Sequence, residues 1–222
     1  VEKDMKCIAC KTEMKPLVDD LHICKECGLI SSDIKPDYSM YDKSYIIKYK
    51  RYEKTETGKK LQKLRHNTVK QFVTEGTVLD FGCGVGTFVK HCNSDGFQAS
   101  GFDINPYGEY CDINNLLCFY NVVTFWDSIE HLTEPNKTIA GFEPDYVFIS
   151  TPSIDDFPQN KKKLPLWRHY MPEEHVHYFS MNSIKALLKS CGYKTVGINY
   201  DESMYRTGVS TKNIITIIGK HE

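Results

Sequence analysis

The chain has 222 residues, 41% of them hydrophobic, with 28 Lys and Arg against 29 Asp and Glu and a formal net charge of −1. That is enough apolar material for one sizeable core with a small appendage, and it excludes a disordered or fibrous chain. The near-cancelling charge excludes a global field that recruits nucleic acid or an anionic membrane, so any such attraction has to be local. The longest apolar runs, such as Asn121–Trp126 and Ile214–Ile218, are too short to span a bilayer, and no charged-then-apolar leader opens the chain, so a cytoplasmic protein is expected.

Four of the 9 cysteines form two Cys-x-x-Cys pairs, Cys7/Cys10 and Cys24/Cys27, with 13 residues between them. The spacing predicts a zinc ribbon over residues 1–35: a short hairpin brings both pairs around one tetrahedral Zn²⁺, and Gly28 supplies the tight backbone after the second pair. So short a segment cannot bury a core of its own, and a bound ion would provide its folding free energy. The alternative is four free thiols in a reducing compartment. His22, two residues before Cys24, is read as a solvated neighbour rather than a ligand.

Residues 36–75 read as a helical connecting segment opened by Pro36. Tyr38, Tyr41, Tyr45, Tyr49 and Tyr52 recur at steps of three or four, and such a stripe predicts core packing. Leu61 to Phe72 reads as an amphipathic helix with Leu61, Leu64, Val69 and Phe72 inward. From Asp42 to Lys70 there are ten Lys or Arg against three acidic residues, while Pro106 to Asn160 carries nine acidic residues and one Lys. The basic face is either a solvated surface or a seat for a phosphate-bearing substrate or RNA.

Residues 76–222 read as the main domain. Thr77–Phe81 is a buried-strand pattern followed by the loop Gly82-Cys83-Gly84-Val85-Gly86 and a helix-compatible stretch, and a second strand, Phe97–Phe102, ends in Asp103. Strand, glycine loop and helix begin a nucleotide-binding βαβ unit, in which glycines admit close backbone approach and the helix amino terminus offers free N–H donors. An acid at the end of the second strand is placed to accept hydrogen bonds from both hydroxyls of a ribose. Asp80 before the loop would repel a pyrophosphate but can accept hydrogen bonds from a cationic amino-acid group.

Val78-Leu-Asp80-Phe-Gly82-Cys-Gly84-Val-Gly86 resembles the first motif of the class I S-adenosylmethionine-dependent methyltransferases. The resemblance continues through Asn121–Leu132 as a fourth strand and its loop and Tyr146–Pro152 as a fifth strand. Pro172–Ser180, with its Glu-His-x-His-Tyr-Phe-Ser pattern, is similar to a small-molecule and sugar subgroup. It implies an α/β fold, with a Rossmann-like sheet, helices on both faces and a C-terminal antiparallel hairpin formed by Lys194–Tyr200 and Asn213–Gly219, joined by a polar loop. A seven-stranded sheet is usual, and the short stretch after Asp103 leaves room for the loss of one strand. Cofactor contacts are implied at Asp80, Gly82, Cys83, Gly84, Gly86, Asp103 and Ile104, with Asp112 as the acid near the adenine and Trp126 and Asp127 shaping the wall.

The same resemblance places His131, next to Glu130, at the edge where the methyl group is presented, and brings His175 and His177 over that edge. An imidazole suits removal of an acceptor proton, so His131 and His177, then His175 and Glu130, are the candidate catalytic residues, with helix capping or packing as the alternative for each. Trp167–Tyr170, after Lys161–Lys163, reads as a substrate lid or a solvated loop. The implied activity is methyl transfer from S-adenosylmethionine to a small molecule, such as a sugar or nucleotide-linked sugar. The alternatives are methylation of ribosomal or transfer RNA, with the ribbon and basic segment holding RNA, and a non-catalytic cofactor-binding zinc adaptor. Against RNA base methylation, Asp127-Ser-Ile-Glu130 stands where an Asn/Asp-Pro-Pro-Tyr motif would be.

Overall fold

A computed structural model describes residues 5–105, 116–117, 119–156, 166–209 and 211–222. Three short strands, β1 (Met14–Val18), β2 (Leu21–Cys24) and β3 (Ile30–Ser32), form an antiparallel meander around the two cysteine pairs. Each pair sits on the same turn. The amides of Lys11 and Gly28 donate to the carbonyls of Cys7 and Cys24, both at 2.9 Å, and Lys11 and Gly28 adopt left-handed backbone (φ 67° and 77°).

After Asp42, whose carboxylate caps it, comes α1 (Lys43–Glu53), followed by α2 (Glu56–Lys70). The two meet at a sharp corner where a Cβ on Gly58 would lie 2.5 Å from the Tyr52 carbonyl, so a glycine is required there. Leu61 and Val69 of α2 are buried and Leu64 is half-buried, as the helical pattern predicts. The tyrosine stripe departs from its expectation. Ile46 is the buried residue of α1, whereas Tyr38, Tyr49 and Tyr52 are 43%, 39% and 39% exposed.

The main sheet is built from β4 (Thr77–Phe81), β5 (Gln98–Phe102), β6 (Val122–Trp126), β7 (Tyr146–Pro152), β9 (Tyr193–Asn199) and β10 (Ile214–His221), in the order β5-β4-β6-β7-β10-β9. The first four run parallel, and β10 runs antiparallel to both β7 and β9. Among the described residues the sheet thus has six strands. Alternation along the strands divides the core. Leu79, Val123, Phe125, Val147 and Ile149 face one side with Ile139 of α4 (Pro135–Phe142) and Ile184 and Leu187 of α5 (Met181–Ser190). Val78, Val122, Trp126 and Phe148 face the other with Val69 and with Phe88 and Cys92 of α3 (Thr87–Ser94).

The β9–β10 connection is not a simple polar loop. It contains α6 (Asp201–Thr207), whose Glu202 and Ser203 are buried and whose end is closed by left-handed Gly208. The helix forms there because Glu202 and Arg206, four residues apart, both turn inward and pair.

The cysteine module is joined to the main domain through β8 (His177–Tyr178), which pairs antiparallel with β3 and adds a fourth strand to the small sheet. Cys7, Cys24, Cys27 and Leu29 belong to the same core cluster as Leu79 and Phe125. No helix among the described residues is long and apolar enough to cross a membrane.

Candidate functional site at the carboxyl ends of the parallel strands

The glycine loop follows β4 and turns into α3. Gly82 (φ 87°) passes so close to Ser128 that a Cβ would lie 2.4 Å from the serine Cβ, so any side chain is excluded. Gly84 (φ 54°) has the opposite surroundings: a Cβ built there meets nothing within 4 Å, and this side of the loop faces open space. Gly86 (φ 73°) caps α3. The loop is fastened to β5 because the amides of Gly82 and Cys83 both donate to the Phe102 carbonyl, at 2.7 and 3.0 Å. Cys83 is buried, and a Cβ on Gly101 would lie 2.6 Å from its sulfur, so its side chain packs against β5.

Asp103 and the loop form one cradle. Asp103 Oδ2 accepts from the Gly84 amide and Oδ1 from the Asn105 amide, both at 2.8 Å, and each oxygen retains a second lone pair. Burial raises the Asp103 pKa against these two bonds. Asn105 then reaches across to the start of α1, donating from Nδ2 to the carbonyls of Tyr41 (3.0 Å) and Asp42 (3.2 Å). Ile104 is 53% exposed beside it. Asp112 lies outside the described residues. Asp80, buried in β4, accepts from the Thr124 hydroxyl at 2.7 Å, and burial pushes its carboxyl up to about 7.

Tyr41 leads to the second half of the site. Its hydroxyl lies 3.0 Å from His131 Nδ1, and it starts an aromatic series, packing edge-on against Tyr45 (centroids 4.8 Å apart), which in turn lies tilted against Tyr49 (4.7 Å). The tyrosine stripe is therefore spent on this surface rather than on the core. His131 sits at the end of a 3-10 turn, Ile129–His131, and the segment after Glu174 packs on it: the Val176 amide donates to the Glu130 carbonyl at 2.9 Å, and the His131 and His175 rings are 4.8 Å apart at 81°. One ring nitrogen from each histidine and a carboxylate oxygen of Glu130 lie within 4.8 Å of one another. Burial and the nearby Asp127 charge push Glu130 up to about 8, burial and the neighbouring His131 push His175 down to about 3, and burial also lowers His131. The site thus favours neutral imidazoles.

His177 stands apart from that group. It is 3% exposed, with Nδ1 2.8 Å from the Ser31 hydroxyl and Nε2 3.4 Å from the Thr133 carbonyl. A carbonyl only accepts, so the proton is on Nε2, Nδ1 accepts from Ser31, and neither nitrogen is left for a substrate. The rest of the motif has similarly definite positions. Tyr178 packs with Leu21 and Ile30, Phe179 enters the main core, and Ser180 caps α5 while donating to the Cys27 carbonyl at 3.0 Å. Trp167 and Tyr170 pack against the Tyr178 cluster, and His169 supplies a carbonyl to His175 Nδ1 at 3.0 Å.

Trp126 and Asp127 are both engaged with arginines. Trp126 is 5% exposed, packs edge-on against Phe88 and lies beneath the Arg65 guanidinium, 5.2 Å from the ring centroid. The Asp127 carboxylate is held by Arg65 (2.6 Å) and Arg206 (2.5 Å). Both arginines also bind Glu202, Arg65 through a bond of 2.9 Å. Although burial opposes its charge, these two guanidinium groups keep Asp127 well below the usual carboxylate range. Sequence reasoning missed Arg65, Glu202, Arg206, Asn105 and the role of Tyr41. A signal existed for Arg65, which lies midway between Leu61 and Val69 on the apolar face of α2, where a charge needs a partner.

The basic segment borders a cavity of about 450 Å³ between α1 and the start of α3, lined by Lys43, Lys50, Lys54, Lys59 and Lys90 with Glu53 and Thr87. The Thr87 hydroxyl donates to the Glu53 carboxylate across it.

A parallel sheet with a glycine loop and a strand-end acid at its carboxyl edge, closed by an antiparallel pair, defines a class I methyltransferase fold. Consistent with this, residues 49–197 match the family described as a methyltransferase domain, and the chain belongs to that family, the S-adenosylmethionine-dependent methyltransferases. No curated protein matches its sequence. In structure it is similar to magnesium protoporphyrin IX methyltransferase from Synechocystis PCC 6803 with bound SAH, at 14% identity and a TM-score of 0.59, over 83% of this chain and 97% of that one. It is also similar to Burkholderia thailandensis 1,6-didemethyltoxoflavin-N1-methyltransferase (13%, TM-score 0.55, 92% and 100%). A small RNA methyltransferase matches at 16% and a TM-score of 0.51, over 74% of this chain and 25% of that one. At these identities the likeness is one of fold.

Proposed function

We propose that the protein transfers a methyl group from S-adenosylmethionine to a small-molecule acceptor, a sugar or nucleotide-linked sugar, at the Glu130, His131 and His175 group. The observation that supports this best is the run of contacts Gly84–Asp103–Asn105–Tyr41–His131, which makes the cofactor cradle and the polar histidine group one continuous surface. Asp103 keeps the acceptor capacity to take ribose hydroxyls, and open space beside Gly84 fits a ligand laid along the loop. Asp80 is buried one residue before the loop's lead-in, where its carboxylate can balance a cationic amino group. When bound, S-adenosylmethionine supplies an electrophilic methyl on a sulfonium. The chain's own contribution is to hold the acceptor in line with that methyl and to take the acceptor's proton at His131 or His175.

In this account His177 is a positioning residue that fixes β8 on β3. Trp126 and Asp127 support the site from behind, through the Arg65 and Arg206 network.

We also infer one zinc ion at Cys7, Cys10, Cys24 and Cys27. The observed sulfur separations, 3.5 Å for Cys7 to Cys27, 3.4 Å for Cys10 to Cys24 and 3.7 Å for Cys10 to Cys27, fit the edges of roughly 3.8 Å that a tetrahedron with Zn–S near 2.3 Å requires. The ion would hold the module against α5.

The lysines around the cavity beside α1 are the observation behind a second reading, with RNA as the acceptor. Transfer of tritiated methyl from S-adenosylmethionine to fractionated metabolites, compared with total RNA, separates the two. Retained SAH binding with label in neither pool would instead support a non-catalytic adaptor.

A further inference from the structure

Glu130, His131 and His175 have a property that proton transfer alone does not use. His131 Nδ1 is 3.0 Å from the Glu174 carbonyl and His175 Nδ1 is 3.0 Å from the His169 carbonyl. Because a carbonyl can only accept, both rings carry their proton on Nδ1, with the Tyr41 hydroxyl as a second acceptor beside the His131 N–H, and leave a lone pair on Nε2. Metal-ligating histidines are held in this way, with the other ring N–H given to a carbonyl that fixes tautomer and orientation. His177 has the reverse tautomer with both nitrogens engaged, and it falls outside the group.

The carboxylate provides the second observation. Glu130 is 2% exposed, and its Oε2 is fully buried with no hydrogen bond of normal length; the buried Thr151 hydroxyl is its polar neighbour, and a neutral hydroxyl does not balance a carboxylate charge. An ionised carboxylate left so is costly unless a cation pairs with it. Its oxygen and one nitrogen of each ring already lie within 4.8 Å of one another. Ligands about 2.0–2.2 Å from one ion sit roughly 3–4 Å apart, so small side-chain movements suffice to close around it.

We propose that Glu130, His131 and His175 bind a divalent transition-metal ion, in a two-histidine, one-carboxylate set whose remaining coordination positions open toward the methyl acceptor. That orientation rests on the placement of the acceptor given above; with an ion bound, the Nε2 lone pairs would be held by the metal, so the ion's open positions, rather than a free imidazole base, would meet the acceptor. The ion class follows from the donors: imidazole nitrogen and carboxylate oxygen suit Mn²⁺, Fe²⁺ or Zn²⁺, whereas the four thiolates of the ribbon select zinc. The two sites therefore differ in what they accept.

The test uses the full chain, loaded with zinc and then freed of excess metal. Mn²⁺ is titrated in while the free-ion paramagnetic resonance signal is followed, and total metal is determined by elemental analysis. One Mn²⁺ bound per chain, or a second equivalent of tightly held Zn²⁺ that blocks it, is expected. Glu130→Gln and His175→Ala should each weaken that binding at least tenfold while SAH affinity, measured by calorimetry, stays within about twofold. A wild-type chain that holds metal only at its cysteines would overturn the proposal, even if both variants misfold. So would wild-type Mn²⁺ binding in both variants. Loss of SAH binding with Mn²⁺ binding intact would sink the methyl-transfer assignment and leave the ion site standing. Intact SAH binding without the ion would sink the ion site alone.

Discussion

His177 and Ser31 share a 2.8 Å hydrogen bond across the two-residue pairing of β3 with β8, and this bond makes the cysteine module part of the support behind His175. Two histidines separated by one residue consequently have different work. One faces the group around His131, and the other ties that strand to the module.

Replacement should separate those roles. His177→Ala leaves the Ser31 hydroxyl and the Thr133 carbonyl short of a partner and is expected to cost about 1–3 kcal/mol of stability, with turnover per folded molecule little changed. His131→Asn should lower turnover by roughly 10²- to 10⁴-fold with SAH affinity nearly unaltered. Thermal unfolding and single-turnover methyl transfer, measured on both variants, provide the check. Wild-type turnover in His131→Asn with an identified acceptor would remove that residue from the chemistry.

Cofactor affinity should depend on Asp103 and Gly84. Asp103→Ala is expected to weaken SAH binding by roughly 1–3 kcal/mol, through lost charged hydrogen bonds to the ribose. Gly84→Val should weaken it further, because the side chain enters space that is now open and distorts a left-handed backbone. Calorimetry with SAH reads both, and equal affinity in wild type and Asp103→Ala would end the ribose assignment.

The buried four-charge network predicts a large and non-additive response. Arg206→Ala leaves Asp127 and Glu202 with one guanidinium between them, and a loss of about 3–5 kcal/mol is expected. Adding Glu202→Gln should restore part of that loss, because the buried charges come closer to balance. Urea unfolding of the two single variants and the double variant measures the coupling. Strict additivity would show that the ion pairs are not energetically linked.

Asp80 predicts a pH dependence with a definite sign. Its carboxyl is raised from 3.8 to about 7, so the folded chain binds this proton more tightly than the unfolded chain does. Its contribution to stability is complete below about pH 4 and declines as pH rises through 7. Asp80→Asn, which keeps an acceptor for the Thr124 hydroxyl, should flatten the stability curve between pH 4 and 7. SAH affinity of the wild type should rise over the upper part of that range as the carboxylate ionises. A variant with the same pH curve as wild type would contradict this account.

Metal removal should act through the ribbon. Cys7→Ser with Cys10→Ser is expected to remove one equivalent of zinc and to lower the melting temperature, because Ser180 donates to the Cys27 carbonyl at the start of α5. Elemental analysis and a thermal melt decide it, and full zinc occupancy in the double variant would refute the four-cysteine site.

What could be read along the chain was short-range. The Gly82–Gly86 loop, Asp103 at a strand end, the cysteine knuckles and the apolar face of α2 all follow from spacings of one to five residues, where period-two and 3.6-residue patterns hold and turn chemistry is local. The helix between β9 and β10 escaped because its inward face is charged, and a run of polar residues reads as a loop until partners for Glu202 and Arg206 are known. The site itself needed the folded chain. Ser31 meets His177 across 146 residues, Arg65 meets Glu202 across 137 and Asp127 across 62, and Tyr41 meets His131 across 90. No local pattern encodes such pairs. They are fixed when the parallel sheet brings its strand ends to one edge and packing sets each buried charge or imidazole against the partners that can satisfy it. His175 lies outside the two-residue strand that holds His177, so their closeness in sequence could not show that one ring packs on His131 while the other pairs with Ser31.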